Sequence, residues 1–207
     1  MKNCFIFGAL PVETLPIEPN TGDLVLAADR GVLNCEILEI TPNAVIGDFD
    51  SLGRIPIGDN IKVLPVRKDD TDIGYCIKYA LSLGYKNFYI YGAAGGKLDH
   101  TLANIQLSAY ISELGGKSVF FGNEYRFTSI TNGVLRFPEC SGRISVFCSS
   151  GSASGVTLKG LSYPLNNAEL NSAYPLGVSN EFTGNKAEIE VKSGTLTAIW
   201  YGDVLPK

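Results

Sequence analysis

Two aspartates one residue apart close an apolar run in AVIGDFDS (44–51), and carboxylates so placed suit a hard cation. Asp48 and Asp50 stand there, Asp69, Asp70 and Asp72 follow in KDDTD (68–72), and Asp29 ends DLVLAAD (23–29). Each group falls where a strand-like run gives out. In a parallel α/β sheet those C-terminal strand ends form the ligand-binding edge. Aspartate is also favoured in caps and turns, so any one of these residues has a structural explanation. A Mg²⁺ site accounts for the set more economically. Mg²⁺ takes oxygen ligands in octahedral geometry, keeps several waters and uses a few carboxylates together with substrate phosphates. Asp72, in the first turn of an expected helix, stays ionised beside the positive end of the dipole, and Asp69, three residues earlier, can face the same side of that turn.

A second constellation lies in NFYIYGAAGGKLDHTLAN (87–104), where Gly92, Gly95 and Gly96 separate a strand from a helix. Glycines there let backbone approach a phosphate, and a helix N-terminus offers unpaired N–H donors. It is neither a Walker A loop nor GxGxxG: Leu98 follows Lys97 where Ser or Thr is needed, and Tyr91 occupies the first glycine position. Asp99, His100 and Asn104 extend the stretch. His100 is the only histidine, and no G-x-S-x-G elbow accompanies it, which disfavours Ser-His hydrolase chemistry; its place in a helix's first turn reads as structural.

The elements that must hold these residues alternate in the first half of the chain. Near-continuous apolar runs at 3–9, 23–29, 43–48, 61–66, 87–93 and 117–123 read as strands covered on both faces. Helical spacing appears in 71–84, ending at Gly84, and in 99–116, ending at Gly115-Gly116. That βα alternation predicts a mostly parallel sheet flanked by helices. Beyond about residue 123 the helical period disappears, and YRFTSI, GVLRF, RISVFCS, GVTLKG, AEIEVK and GTLTAIWY are separated by Gly, Ser, Pro or Asn. The expectation is an α/β domain over 1–125 and an antiparallel β-sandwich or barrel over 126–207.

Composition limits the partners. The 207 residues carry 45% hydrophobic and 18% charged side chains with a net charge of −4, the chemistry of a soluble globular protein without a basic footprint for nucleic acid or membrane. Any anionic ligand needs local help from a metal ion or a helix N-terminus. Five widely spaced cysteines without a CxxC pair read as small hydrophobes rather than a zinc site. The start, MKNCFIFGALP, has too short an apolar run for a signal peptide, and no stretch approaches the length that spans a bilayer, so a cytoplasmic location is expected.

Taken in order, AADRG (27–31), IGDFDS (46–51), KDDTD (68–72), YGAAGGKLDHTLANIQL (91–107), GLSYPL (160–165) and GVSNEF (177–182) resemble the bacterial thiamine pyrophosphokinase family over nearly the whole chain. The resemblance implies transfer of diphosphate from ATP to the hydroxyl of thiamine, giving thiamine diphosphate and AMP with Mg²⁺. It also implies an N-terminal nucleotide domain, a C-terminal thiamine-binding β-domain, and a homodimer with its active site at or near the subunit interface. On that pattern Asp48, Asp50 and Asp72 match the metal ligands. Asp29, Arg30, Asp69, Thr71, Gly95, Gly96 and Lys97 match the ATP-facing edge; Asp99, Tyr163, Ser179 and Asn180 match the thiamine side. Asp50, Asp72, Lys97 and Asp99 carry the catalytic expectation. Lys97 stands where arginine is usual, keeping the charge but losing the planar fork, and Arg30 replaces a common glycine. A diphosphokinase for another alcohol and a nucleotide-sensing or carbohydrate-binding module are the competing readings. The second has no use for so many clustered aspartates.

Overall fold

The computed structural model describes residues 2–50, 52–56, 60–67 and 69–207. Ser51 and Lys68, which belong to two of the acidic motifs, lie outside the described residues. The chain divides into two compact units, Met1–Asn104 with Ser118–Asn123, and Ile105–Lys117 with Glu124–Lys207.

The first unit is built on six strands: β1 (Asn3–Phe7), β2 (Leu24–Ala28), β3 (Ala44–Gly47), β4 (Ile61–Val63), β5 (Asn87–Ala94) and β6 (Lys117–Gly122). Their order is β6-β5-β1-β2-β3-β4. The pairings β5–β1, β1–β2, β2–β3 and β3–β4 are all parallel. All five residues of β2 and all four of β3 are buried, as the continuous apolar runs foretold. From β1 the chain builds outward through β2, β3 and β4, then returns to place β5 on the other side of β1. That reversal between β1 and β5 is a topological switch point, the place where open α/β sheets bind ligands.

Two of the three helices among the described residues follow the sequence pattern closely. In α2 (Asp72–Ser82) the Thr71 hydroxyl accepts the Gly74 N–H at 3.0 Å, an N-cap. At the other end the Gly84 N–H donates to Leu81 and the Tyr85 N–H to Ala80, a Schellman closure at the glycine foreseen as the stop. The α3 helix (Leu98–Glu113) ends the same way, with Gly115 donating to Ser112 and Gly116 to Ile111. The short α1 (Gly31–Ile37) has no counterpart in the sequence-based expectation. The run at 61–66 yields a strand only to Val63; Pro65 has no N–H to extend the ladder.

The second unit is wholly antiparallel where it is sheet. Its strands are β7 (Tyr125–Thr131), β8 (Val134–Phe137), β9 (Ser141–Cys148), β10 (Ser152–Lys159), β11 (Leu165–Asn171), β12 (Gly177–Thr183), β13 (Ala187–Glu190) and β14 (Thr195–Tyr201). They form two four-stranded arrays, β12-β9-β14-β7 and β11-β10-β13-β8. Phe137 of one array meets Phe182 and Trp200 of the other at ring-centroid distances of 5.0 and 5.3 Å, and all three rings are buried. This is a sandwich core. The polar β11, LNNAELN, gave no apolar alternation to read.

Cys4, Cys35 and Cys76 are buried, while Cys140 and Cys148 are partly exposed; all are free thiols. Burial pushes the Cys35 thiol up to about 12 and holds those of Cys4 and Cys76 well above the ordinary thiol range. A thiol reagent should label at most Cys140 and Cys148 in the native protein and all five cysteines after denaturation. Rapid native labelling of Cys4, Cys35 or Cys76 would contradict this packing.

Candidate active site

A cleft of about 590 Å³ opens at the switch point of the first unit. Its walls come from the residues that follow four strands: Gly8–Leu10 after β1, Asp29 and Arg30 after β2, Asp48 and Asp50 after β3, and Gly96 and Lys97 after β5. Thr71 and Asp72 enter from the start of α2. Eight of the expected site residues thus share one cavity: Asp29, Arg30, Asp48, Asp50, Thr71, Asp72, Gly96 and Lys97.

The carboxylates at the ends of β2 and β3 are placed by the local backbone. Phe49 has φ 58° and is buried, an unusual conformation for a bulky residue. Its ring anchors the turn, so that Asp48 and Asp50 flank it at the mouth, where the Asp50 N–H donates to the Asp48 carboxylate at 3.3 Å. The ends of β2 and β3 are tied by the Asp29 N–H donating to Ile46 at 2.9 Å. They approach so closely that a Cβ on Gly47 would lie 2.8 Å from the Cα of Asp29. Glycine at position 47 is therefore a packing requirement of the site.

The residues around α2 divide by role. Asp70 accepts the Thr71 N–H at 3.0 Å and pairs with Lys78 at 2.5 Å, which commits it to the helix start. Asp72 is half-buried on the cleft wall and Asp69 is exposed outside the lining. The glycine loop is pinned at both ends. The Gly95 N–H donates to the Thr101 hydroxyl, which itself donates to the Lys97 carbonyl, and the buried Asn104 amide donates to the Ala93 carbonyl. His100, Thr101 and Asn104 line the cleft, whereas Gly95 and Asp99 do not. The Gly8–Leu10 wall was missed from sequence, although its position after an apolar strand ending in glycine was the available signal.

The lining sets four carboxylates against the cations of Arg30 and Lys97. Such a cleft repels a polyphosphate unless a cation accompanies it. The donors are hard oxygens, as Mg²⁺ requires, and among the described residues no three of them are drawn together into a ready-made cage.

In the second unit, β12 bulges between Gly177 and Asn180, with Ser179 at φ 58° and its N–H donating to the Ser145 hydroxyl at 3.0 Å. The buried Asn180 amide accepts the Tyr163 and Glu181 N–H groups, each at 2.9 Å, and donates to the Tyr163 carbonyl at 2.8 Å. Its side chain is thereby spent on backbone, and the corner it holds presents Tyr163 with 69% of its surface exposed.

Known proteins resemble both units. The model for the catalytic domain of thiamin pyrophosphokinase matches residues 19–115, and that for its vitamin B1 binding domain matches residues 135–196. Thiamine pyrophosphokinase of Bacillus subtilis (strain 168) is 29% identical over 191 residues, covering 85% of this chain and 86% of its own. The crystal structure of Bacillus subtilis thiamine pyrophosphokinase superposes with a TM-score of 0.83 at 24% identity, over 97% of this chain and 99% of that one. A probable thiamine pyrophosphokinase from Staphylococcus saprophyticus gives 0.65 at 25% identity, over 97% and 98%. An acidic cleft at the switch point of a doubly wound sheet, carried with a β-sandwich in one chain, is the build of a group-transfer enzyme. The chain belongs to the thiamin pyrophosphokinase family, a family of diphosphotransferases that form thiamine diphosphate.

Gly47→Ala should force the ends of β2 and β3 apart and misplace Asp29 and Asp48. We expect thiamine diphosphate formation to fall about a hundredfold with only a modest loss of stability, read by steady-state assay beside urea unfolding. Activity close to wild type would refute the close-approach argument.

Proposed function

We propose that the protein is an ATP:thiamine diphosphokinase, transferring the β,γ-diphosphate of ATP to the hydroxyethyl oxygen of thiamine and releasing AMP. The observation that carries this reading is the meeting of Asp29, Asp48, Asp50 and Asp72 with Lys97 in one cleft of nucleotide size. Asp48, Asp50 and Asp72 would hold Mg²⁺. The ion, when bound, neutralises phosphate oxygens and lets an acidic cleft accept a triphosphate.

The chain's own residues position the reactants. Asp29, Arg30, Asp69 and Thr71 form the nucleotide edge, and Gly95, Gly96 and Lys97 steady the phosphates, Lys97 by charge. Diphosphoryl transfer demands alignment and charge neutralisation rather than a covalent intermediate. The thiamine oxygen attacks the β-phosphorus in line, the bond to the oxygen bridging the α-phosphate breaks, and AMP leaves with the electron pair. The hydroxyl proton passes to a nearby aspartate, with Asp50 and Asp72 on the cleft wall and Asp99, two residues beyond Lys97, the candidates. Thiamine is cationic, which suits the face of Tyr163 and the charge of Asp99, with Ser179 and Asn180 supplying polar contact or support. We further propose a cytoplasmic homodimer with the thiamine site at or near the subunit interface, residues 1–125 serving ATP and 126–207 serving thiamine. The exposed ring of Tyr163 supports an aromatic role toward a ligand rather than a role in the core.

Purified protein with ATP, Mg²⁺ and thiamine should yield thiamine diphosphate and AMP in equal amounts, and chelation of Mg²⁺ should abolish both. AMP release with a hydroxymethylpterin in place of thiamine, and none with thiamine, would overturn the substrate. Asp50→Asn and Asp72→Asn should each lower kcat about a hundredfold or more while circular dichroism stays unchanged; near-normal turnover in either rejects the metal assignment.

Tyr163→Ala should raise the KM for thiamine about tenfold and leave that for ATP unaltered. An effect confined to ATP would contradict its placement.

A further inference from the structure

In a doubly wound sheet the first strand ordinarily leads into a helix whose N-terminus meets the phosphates. Here residues 8–23, between β1 and β2, contain neither helix nor strand. The cleft wall over the switch point is bare loop, and a loop left to itself samples many conformations. Something must fix it.

We infer that Asn34, in α1, is the positioning residue that fixes this wall for the nucleotide, an inference that rests on the ATP reading of the cleft. Asn34 is buried and does not line the cavity. Its Nδ2 donates to the Gly8 and Leu10 carbonyls, both at 2.8 Å, and its Oδ1 accepts the Val12 N–H at 3.2 Å. Both N–H groups and the carbonyl of the amide are thus spent on one five-residue segment, 8–12. The segment continues the β1–β5 pairing beyond the strand, with the Gly8 N–H donating to Tyr91 at 2.7 Å and the Leu10 N–H to Gly92 at 3.0 Å.

Leu10, so held, lies against the glycine loop. A Cβ on Gly96 would come within 2.8 Å of the Leu10 Cδ2. Asn34 therefore acts on the cleft through Leu10, setting where Gly96 and Lys97 can stand. No isostere does the same work: a carboxylate at position 34 would turn acceptor oxygens toward two carbonyls and supply no donor.

Steady-state kinetics of Asn34→Ala test the inference. The KM for ATP should rise about tenfold while that for thiamine stays within about twofold. Amide exchange at Leu10 and Val12 should quicken with β5 unchanged. Equal rises in both KM values, or unaltered KM values in folded protein, would overturn the role. If Asn34→Ala does not fold, Leu10→Ala reads the same wall from its partly exposed side. A selective rise in the KM for ATP supports the inference, and none refutes it. A wild-type protein that makes no thiamine diphosphate from ATP overturns the underlying reading and this one with it. A wild type that uses ATP beside an indistinguishable Asn34→Ala overturns this inference alone.

Discussion

Like charges gathered on one sheet edge push one another apart, and the first unit is built to hold Asp29, Asp48, Asp50 and Asp72 together against that repulsion. Its means are close backbone approach, one left-handed residue and a helix cap. Gly47 lets the end of β3 lie against the Cα of Asp29, buried Phe49 takes a left-handed conformation that fixes its acidic neighbours, and Thr71 caps the helix that carries Asp72. Local strain of that sort persists where the surrounding structure over-determines it, and it is most often found at functional sites. In the proposed reaction a cation would turn that unfavourable collection of charges into a grip on a polyanion.

Neighbouring aspartates at the start of α2 meet different fates. Asp70 pairs with Lys78 and closes the turn before the helix, Asp69 stays exposed, and only Asp72 reaches the cleft wall. Three acids in four residues therefore supply a support, a rim group and a ligand candidate.

The parallel strands were legible because both sheet faces are covered, so β1, β2, β3 and β5 read as near-continuous apolar runs. The ends of α2 and α3 were legible because glycine at the Schellman position has a local cause. The α1 helix escaped because seven residues give too few turns for a period, and β11 because LNNAELN faces water along most of its length. In the site, aspartates at strand ends could be found from residue type and sequence position. The Gly8–Leu10 wall offered only a glycine after an apolar strand, since its importance comes from where β5 lies beside β1, and that is decided by chain reversal some eighty residues later in sequence.

The β unit spends its polar groups to hold something exposed. A buried asparagine usually satisfies the backbone of a core element, but Asn180 gives its amide to the Tyr163 corner, whose ring adds little to the core. Phe137, Phe182 and Trp200 already close the sandwich without it. On the proposed role of Tyr163, fixing the corner beforehand removes part of the ordering cost of binding. The same economy governs the first unit, where Asn34 stills a loop beside the cleft. In each unit a buried amide fixes a stretch of backbone, Asn34 the 8–12 segment and Asn180 the Tyr163 corner.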